Sequence, residues 1–362
     1  MSKHMRVFMF LVSCLIVLPD AGLCQDNPLK VMSQDGKSYA AFGFLAQGQA
    51  EWITNPLTDT TTKNLFLRRI RLIAGGKVND KLSFFIETDS PNLGKAEVNG
   101  NKTAERMYLQ DVILTYKFRD EFQLDGGMLL VPMSHNGLQG ATSLLPVDYG
   151  PYSFQASSLT DSRVGRDYGL QARGYVFNKH LEYRAGVFQG RRNPGSTYPF
   201  RYTTRLVWYP FEAETGFFYT GTTLGKKKIL ALGFSSDNQG SYHSQAVDFF
   251  CDQPLRKGDG ITLQADYTHH DGGVTLPQFL PQHAWLAEAG YYFNKTKLGP
   301  FMQLSGLRYA LDTGNNQSKY LGGLAWWIQG HRFNIKLGIG RSQTGNSPRQ
   351  LQVVLQSQVY IF

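Results

Sequence analysis

The chain has 362 residues, a formal net charge of +9 at pH 7, 13% aromatic residues and 38 glycines. Beyond the N-terminus no segment approaches the about 18 consecutive apolar residues of a transmembrane helix, which excludes helical spans. The charge alone would suit nucleic acid, yet the longest basic run is Lys226-Lys227-Lys228 and most other cations are scattered singly or in pairs.

Lys3 and Arg6 precede an apolar stretch from Val7 to Leu18, and Pro19-Asp20-Ala21-Gly22 breaks it. That stretch is shorter than the roughly 20 residues of a spanning helix. The pattern predicts a Sec export signal over 1–24, cleaved after Cys24 with Gly22 as the small residue before the cut. A retained anchor is one alternative. A lipid-modified cysteine is another, but modification at Cys14 would divide the apolar stretch, and Leu23 before Cys24 is bulky. Cleavage removes two of the three cysteines and leaves Cys251 alone, so the mature chain has no intrachain disulfide and no cysteine-rich metal site. Export also argues against a nucleic-acid partner. Residues 25–37 are expected to form a short periplasmic segment.

From residue 38 the chain reads as short alternating segments between Gly, Asn, Asp and Pro turns. The first segments are Ser38–Ile53, Asn64–Lys77, Lys81–Asp89, Met107–Phe118 and Phe122–Val131. Pro132 to Arg166 then shows little alternation, over a length well beyond the about 12–15 residues of ordinary loops, which are often functional when longer. Alternation resumes at Asp167–Phe177 and Leu181–Gln189. It continues through Arg201–Trp208, Ile229–Ser235, Ser244–Phe250, Gly260–Thr268 and Trp285–Phe293. The last segments are Phe301–Tyr309, Tyr320–Ile328, Arg332–Gly340 and Gln350–Phe362. Tight turns at Asn79-Asp80, Arg119-Asp120, Asn178-Lys179, Asn294-Lys295 and Gly330-His331 alternate with longer stretches such as 91–106 and 271–283.

These sixteen segments predict an all-β fold: a sixteen-stranded antiparallel transmembrane β-barrel over 38–362, with the long loop 132–166 folded inward. The even count puts both termini on the periplasmic side, with short periplasmic turns and long external loops. A soluble β-sandwich is the alternative. It fits less well with an aromatic finish at Tyr360 and Phe362, the ending expected of an outer-membrane barrel whose last ring sits in the interfacial girdle. That final strand carries a conflict. Phe362 shares a face with Tyr360, Gln358 and Gln356, whereas Leu351, Val353, Leu355 and Val359 share the other. Either a bulge near Ser357 resets the register, or Phe362 turns outward only at the rim.

Charge on the strands marks the interior. In Phe66-Leu67-Arg68-Arg69-Ile70-Arg71-Leu72, alternation puts Arg69 and Arg71 on one face, opposite Ile70 and Leu72. Arg68 then falls on the lipid face, near the interface. Lys117, Arg173, Arg184, Arg205 and Lys336 join the interior set, as do Glu87, Asp111, Asp125, Glu182 and Asp266, giving a mixed lumen with a basic excess. Arg166 would anchor the end of the constriction loop. Screening over about 8 Å at physiological salt makes such charges count only where the loop narrows the pore. Lone wall residues that pair across strands are the plain alternative for each.

Catalysis and metal chemistry have little support. His269-His270-Asp271 has no further ligand that the sequence can place. Ser134-His135 falls in the long loop, and His243-Ser244 are adjacent, hence on opposite faces, and cannot form a nucleophile–base pair. No cofactor or metal is implied.

Several segments resemble the phosphate-selective porin O and P family. They are Arg68-Arg69-Ile70-Arg71 followed by Asp80-Lys81-Leu82-Ser83-Phe84, then Leu129-Leu130-Val131-Pro132-Met133, Gly165-Arg166-Asp167-Tyr168-Gly169-Leu170-Gln171, Tyr183 through Gly190, and the final strand. Order and spacing carry the likeness over most of 40–362. The resemblance implies a sixteen-stranded, usually trimeric porin in the outer membrane of a Gram-negative bacterium, with an inward third loop. Its best-known members pass phosphate or polyphosphate along arginine rows and a lysine cluster. Here the row maps onto Arg69 and Arg71, and the loop from Pro132 to Val164 contains no lysine. The expectation is a passive porin preferring small anions, lined by Arg69, Arg71, Lys117, Arg166, Arg173, Arg184 and Arg205. Its partners would be outer-membrane lipid, two further copies of itself and, through the C-terminal strand, the barrel-assembly machinery. A general or sugar-selective porin, with Phe85 and Phe188 as a stacking slide, and a non-conducting anchoring barrel are the alternatives.

Overall fold

Strand formation follows from alternation with an inverted polarity. In Arg201–Trp208, the side chains of Arg201, Thr203, Arg205 and Val207 are buried, whereas Tyr202, Leu206 and Trp208 are about half exposed. Charged residues inside and aromatic or aliphatic residues outside suit a sheet bathed in lipid. The computed structural model describes residues 29–97, 99–160, 162–311 and 314–362; the expected export signal lies outside them.

The strands are β1 (Leu29–Met32), β2 (Tyr39–Asn55), β3 (Thr60–Lys77), β4 (Leu82–Asp89), β5 (Tyr108–Arg119), β6 (Phe122–Leu130), β7 (Arg166–Val176), β8 (Leu181–Phe188) and β9 (Arg201–Trp208). They continue as β10 (Ile229–Gln239), β11 (Tyr242–Pro254), β12 (Gly260–Asp271), β13 (Gln282–Tyr292), β14 (Leu298–Tyr309), β15 (Gln317–Trp326), β16 (Phe333–Thr344) and β17 (Gln350–Ile361). Strands β2 to β17 pair antiparallel in chain order, and β17 closes the barrel on β2. All sixteen expected segments are therefore strands of one closed sheet. Closure satisfies every edge, which lipid requires.

The seam resolves the conflict in the last strand. β17 pairs without a register shift along both neighbours, from Leu351↔Thr54 to Ile361↔Phe44 on β2. No bulge intervenes, so Phe362 keeps the interior face and its ring meets the edge of Phe85, 6.0 Å between centroids. The expected place in the lipid girdle is thus wrong. Putting Phe362 outward would turn Gln356 and Gln358, both buried inside, into lipid, where unsatisfied polar groups cost several kcal/mol each. Below the end of β17, β1 takes over the same edge of β2 with Leu29↔Phe42 to Met32↔Tyr39. Gly43 sits at the handover, where a Cβ would collide with the Ile361 carbonyl.

Two connections fill the interior. Residues 131–165 join β6 to β7 and contain the short helix α1 (His135–Leu138), capped by the Ser134 hydroxyl, which accepts from the Gly137 N–H. Its Leu145 and Val147 pack with Tyr292, Phe301, Leu321 and Trp327 from the inner wall. Gly290 makes this approach possible, since a Cβ there would lie 2.6 Å from Leu145 Cδ1. Each such buried aliphatic side chain contributes about 1.5–3 kcal/mol. The second is residues 209–228, between β9 and β10 at the end of the barrel that carries the termini. The pattern of short turns there fails at this connection, which meets the loop inside the barrel through a parallel bridge between Gln139 and Tyr219.

Candidate permeation site

The interior arginines come together in two groups. Arg173 of β7 stands opposite Arg184 of β8, and Arg184 opposite Arg205 of β9. Three like charges in a cross-strand row repel, and each is met by a carboxylate. Arg173 bonds Asp125 at 2.7 Å, Arg184 bonds Glu182 at 2.6 Å, and Arg205 holds Asp248 with two bonds of 2.6 and 2.8 Å. The inserted segment supplies the rest: Arg184 donates to the Phe217 and Gly216 carbonyls, and Tyr219 lies against Arg184 and Arg205.

The second group surrounds Tyr149 of the long loop. Arg71 bonds Glu87 at 2.5 Å and Asp89 at 3.0 Å, and Arg166 holds Asp111 through two nitrogens while donating to the Val164 carbonyl. Arg69 bonds Gln47 and Asp148 and faces the Tyr149 ring at 5.5 Å. Lys117 joins neither group. It is half exposed near the rim and pairs with Asp120 of the adjacent turn, where hydrogen bonds from Lys117 and Lys179 hold that carboxyl below its usual range.

One expectation is corrected here. Arg68 does not face lipid. The pairing of β2 and β3 jumps from Gln47↔Arg69 to Gly48↔Leu67, leaving Arg68 as the extra residue of a bulge. Its guanidinium turns inward and bonds Asp148 at 2.7 Å. The arginines expected to line the pore follow the plain alternative of paired wall residues, in that Arg69, Arg71, Arg166, Arg173, Arg184 and Arg205 all end on carboxylates. Sequence reasoning missed Arg201, which bonds Asp237 and Asp167, although its spacing from Arg205 gives the same face. It also missed Asp148, whose role depends on a loop contact no strand pattern encodes.

Accessible charge is found above the loop. Arg68 and Asp148 are 21% and 36% exposed. Burial alone would push the Asp148 carboxyl up, but Arg68 and Arg69 outweigh it and hold the group well below the usual carboxylate range. Beside them Lys95 bonds Glu51 at 2.6 Å, and Lys319 lies within electrostatic reach of Asp148, Glu51, Lys95 and Arg68. Lys336 tethers the loop by donating to the Leu144 and Pro146 carbonyls. The stacking slide has no support at Phe188, which is only 1% exposed.

The interior does bring a serine to a histidine: Ser244 Oγ lies 2.7 Å from His270 Nδ1. The hydroxyl already donates to the His269 carbonyl, so the ring donates to it and leaves the oxygen unactivated. Among the described residues no group of three or more His, Cys, Asp or Glu is placed to hold a metal ion.

Residues 53–234, half of the chain, match the sequence profile of phosphate-selective porin O and P. No curated protein matches the sequence significantly. Among solved structures, an anion-selective porin from Comamonas acidovorans aligns with a TM-score of 0.63 at 9% identity, covering 90% of this chain and all of that one, 100%. OmpF from Salmonella typhi, in complex with daunomycin, gives 0.59 at 13% identity, with 91% and 100% covered. OmpT from Vibrio cholerae, in a trimer form, gives 0.55 at 10% identity, with 89% and 99% covered. At these identities the likeness is one of fold.

Proposed function

From the premise that this chain belongs to the phosphate-selective porin O and P family, and is thus an outer-membrane porin, we propose that it passes small anions by diffusion. One observation carries the preference: two guanidiniums, Arg68 and Arg69, share the single carboxylate of Asp148 at an accessible point above the loop. One positive charge there is left over, and Lys319 adds to it. The buried arginines below leave no positive charge over, since each meets at least one carboxylate and Arg71 and Arg201 each meet two, and they serve to hold the wall and the inserted segments in place. Phosphate is among the anions the family name suggests, and the absence of lysine from the loop leaves Arg68 and Arg69 of β3 as its recognition groups.

The wider reading is that residues 1–24 are an export signal removed on the Sec route. The barrel would be assembled through its C-terminal strand and packed as a homotrimer in outer-membrane lipid. The trimeric OmpT and the anion-selective Comamonas porin lend support by likeness of fold. A second reading has its own observation: apolar clusters around Leu145 and around Leu144 and Tyr149 occupy the lumen, as they would in a non-conducting barrel.

The test is purified protein in a planar bilayer under a tenfold KCl gradient. A reversal potential on the chloride side supports the proposal. A potassium-side potential overturns the anion preference, and absence of current favours the second reading.

A further inference from the structure

Outside the lumen, at the end of the barrel away from the termini, three polar atoms converge on the outer wall. Alternation puts Gln264, Asp266, Thr268 and His270 of β12 inside, so Tyr267 and His269 face outward. His269 stands directly opposite His283 of β13. Their Nδ1 atoms are 3.3 Å apart, and the Tyr267 hydroxyl lies 2.7 Å from His283 Nδ1. A neutral imidazole nitrogen has one in-plane lone pair, so this nitrogen cannot satisfy both neighbours with good geometry.

We propose that His269, His283 and Tyr267 form a binding site for a divalent transition-metal ion of the zinc, copper or nickel type. Two nitrogens each about 2.0–2.1 Å from a tetrahedral ion are about 3.3 Å apart, the separation already present. Imidazole is the donor these ions favour. The phenol oxygen, on releasing its proton to bulk water, provides a third donor, and the outward side leaves a fourth position open. The strand ladder fixes the two histidines as cross-strand neighbours, so little ordering is needed. Arg308, opposite His283 in the ladder and so on the same face, lines a groove with Ser318, Tyr320, Gln343 and Arg349, and its charge is a repulsion that binding has to outweigh. The site joins β12 to β13, so an ion would staple the external end of the barrel.

The experiment titrates zinc chloride into the folded, detergent-solubilised barrel by calorimetry and records copper(II) electron paramagnetic resonance on the same protein. One ion per chain is expected, with a two-nitrogen hyperfine pattern. His269→Gln and His283→Gln should each weaken binding by at least about tenfold and reduce the pattern to one nitrogen. His180→Gln, in a turn at the opposite end, should change neither. Zinc binding that is absent at millimolar concentration, unchanged in both variants, or equally reduced by His180→Gln overturns the site. Far-ultraviolet circular dichroism of each variant separates loss of a ligand from loss of fold.

Discussion

Replacing Asp148 with asparagine tests the proposed origin of selectivity most directly. Asp148 is the shared acceptor of Arg68, at 2.7 Å, and Arg69, at 2.6 Å. The substitution keeps side-chain volume and a hydrogen-bond acceptor but removes one negative charge. An ion passing about 8 Å away through water gains or loses about 0.5 kcal/mol from that charge, and about 1 kcal/mol at 4 Å. The change has opposite sign for chloride and potassium, so the permeability ratio should shift toward chloride by about 1–2 kcal/mol, or roughly five- to thirtyfold. Reversal potentials in planar bilayers read this ratio, and heat-modifiable electrophoretic mobility verifies that the barrel is folded. A ratio within twofold of the parent protein, or a shift toward potassium, would refute the reasoning, because ions would then not pass this clamp.

Arg166→Ala leaves Asp111, fully buried, without its bidentate partner, and should cost about 3–5 kcal/mol; an unfolding temperature equal to that of the parent would contradict it. Replacing residues 212–220 by a short Gly-Ser turn removes Glu214 and Tyr219 from the lumen and should raise single-channel conductance several-fold, whereas unchanged conductance would mean that the segment obstructs nothing. Burial pushes the His331 ring, in the turn between β15 and β16, down to about 4, below an unfolded value of about 6.5. Its stabilising effect is complete above that unfolded value and is lost as pH falls from about 6.5 toward 4. Melting temperature should drop through this window, and His331→Gln should flatten the slope; an identical slope in the variant refutes the assignment. Asp148, held ionised by its two arginines, predicts a reversal potential that stays flat between about pH 7 and pH 4.

The strands were legible because lipid outside and polar groups inside impose a period of two, which the sequence carries residue by residue. Two classes of feature were not. The bulge at Arg68 depends on how β3 meets β2, and the sequence of β3 alone reads equally well without it. A terminal aromatic points to the girdle, but the two glutamines behind Phe362 on the same face mark that face as interior. Length, the lapse of alternation and the apolar run Leu144 to Val147 mark 132–166 as an internal loop. The same signal was present at 209–228, where Phe217, Phe218 and Tyr219 supply the apolar side chains an inserted segment needs. The short turns at the other connections of that end mask it. The carboxylate partners were hidden for a simpler reason: Asp148 lies 79 residues from Arg69 and Asp111 lies 55 from Arg166, so only the closed barrel and its loop bring them together.

Filling a barrel changes what its wall residues must do. A lumen open to water can carry unpaired arginines, since solvent screens them within about 8 Å. Once loop and inserted segment exclude that water, an unpaired guanidinium would cost several kcal/mol, and each must acquire a carboxylate. Arg71, Arg166, Arg184 and Arg205 are all at most 4% exposed and all so paired. An arginine row read from strand alternation is therefore a sign of internal packing in this barrel as much as of anion passage. Selectivity has to come from charge that stays both accessible and unbalanced, and the exposed Arg68–Asp148 contact, backed by buried Arg69 on the same carboxylate, meets both conditions.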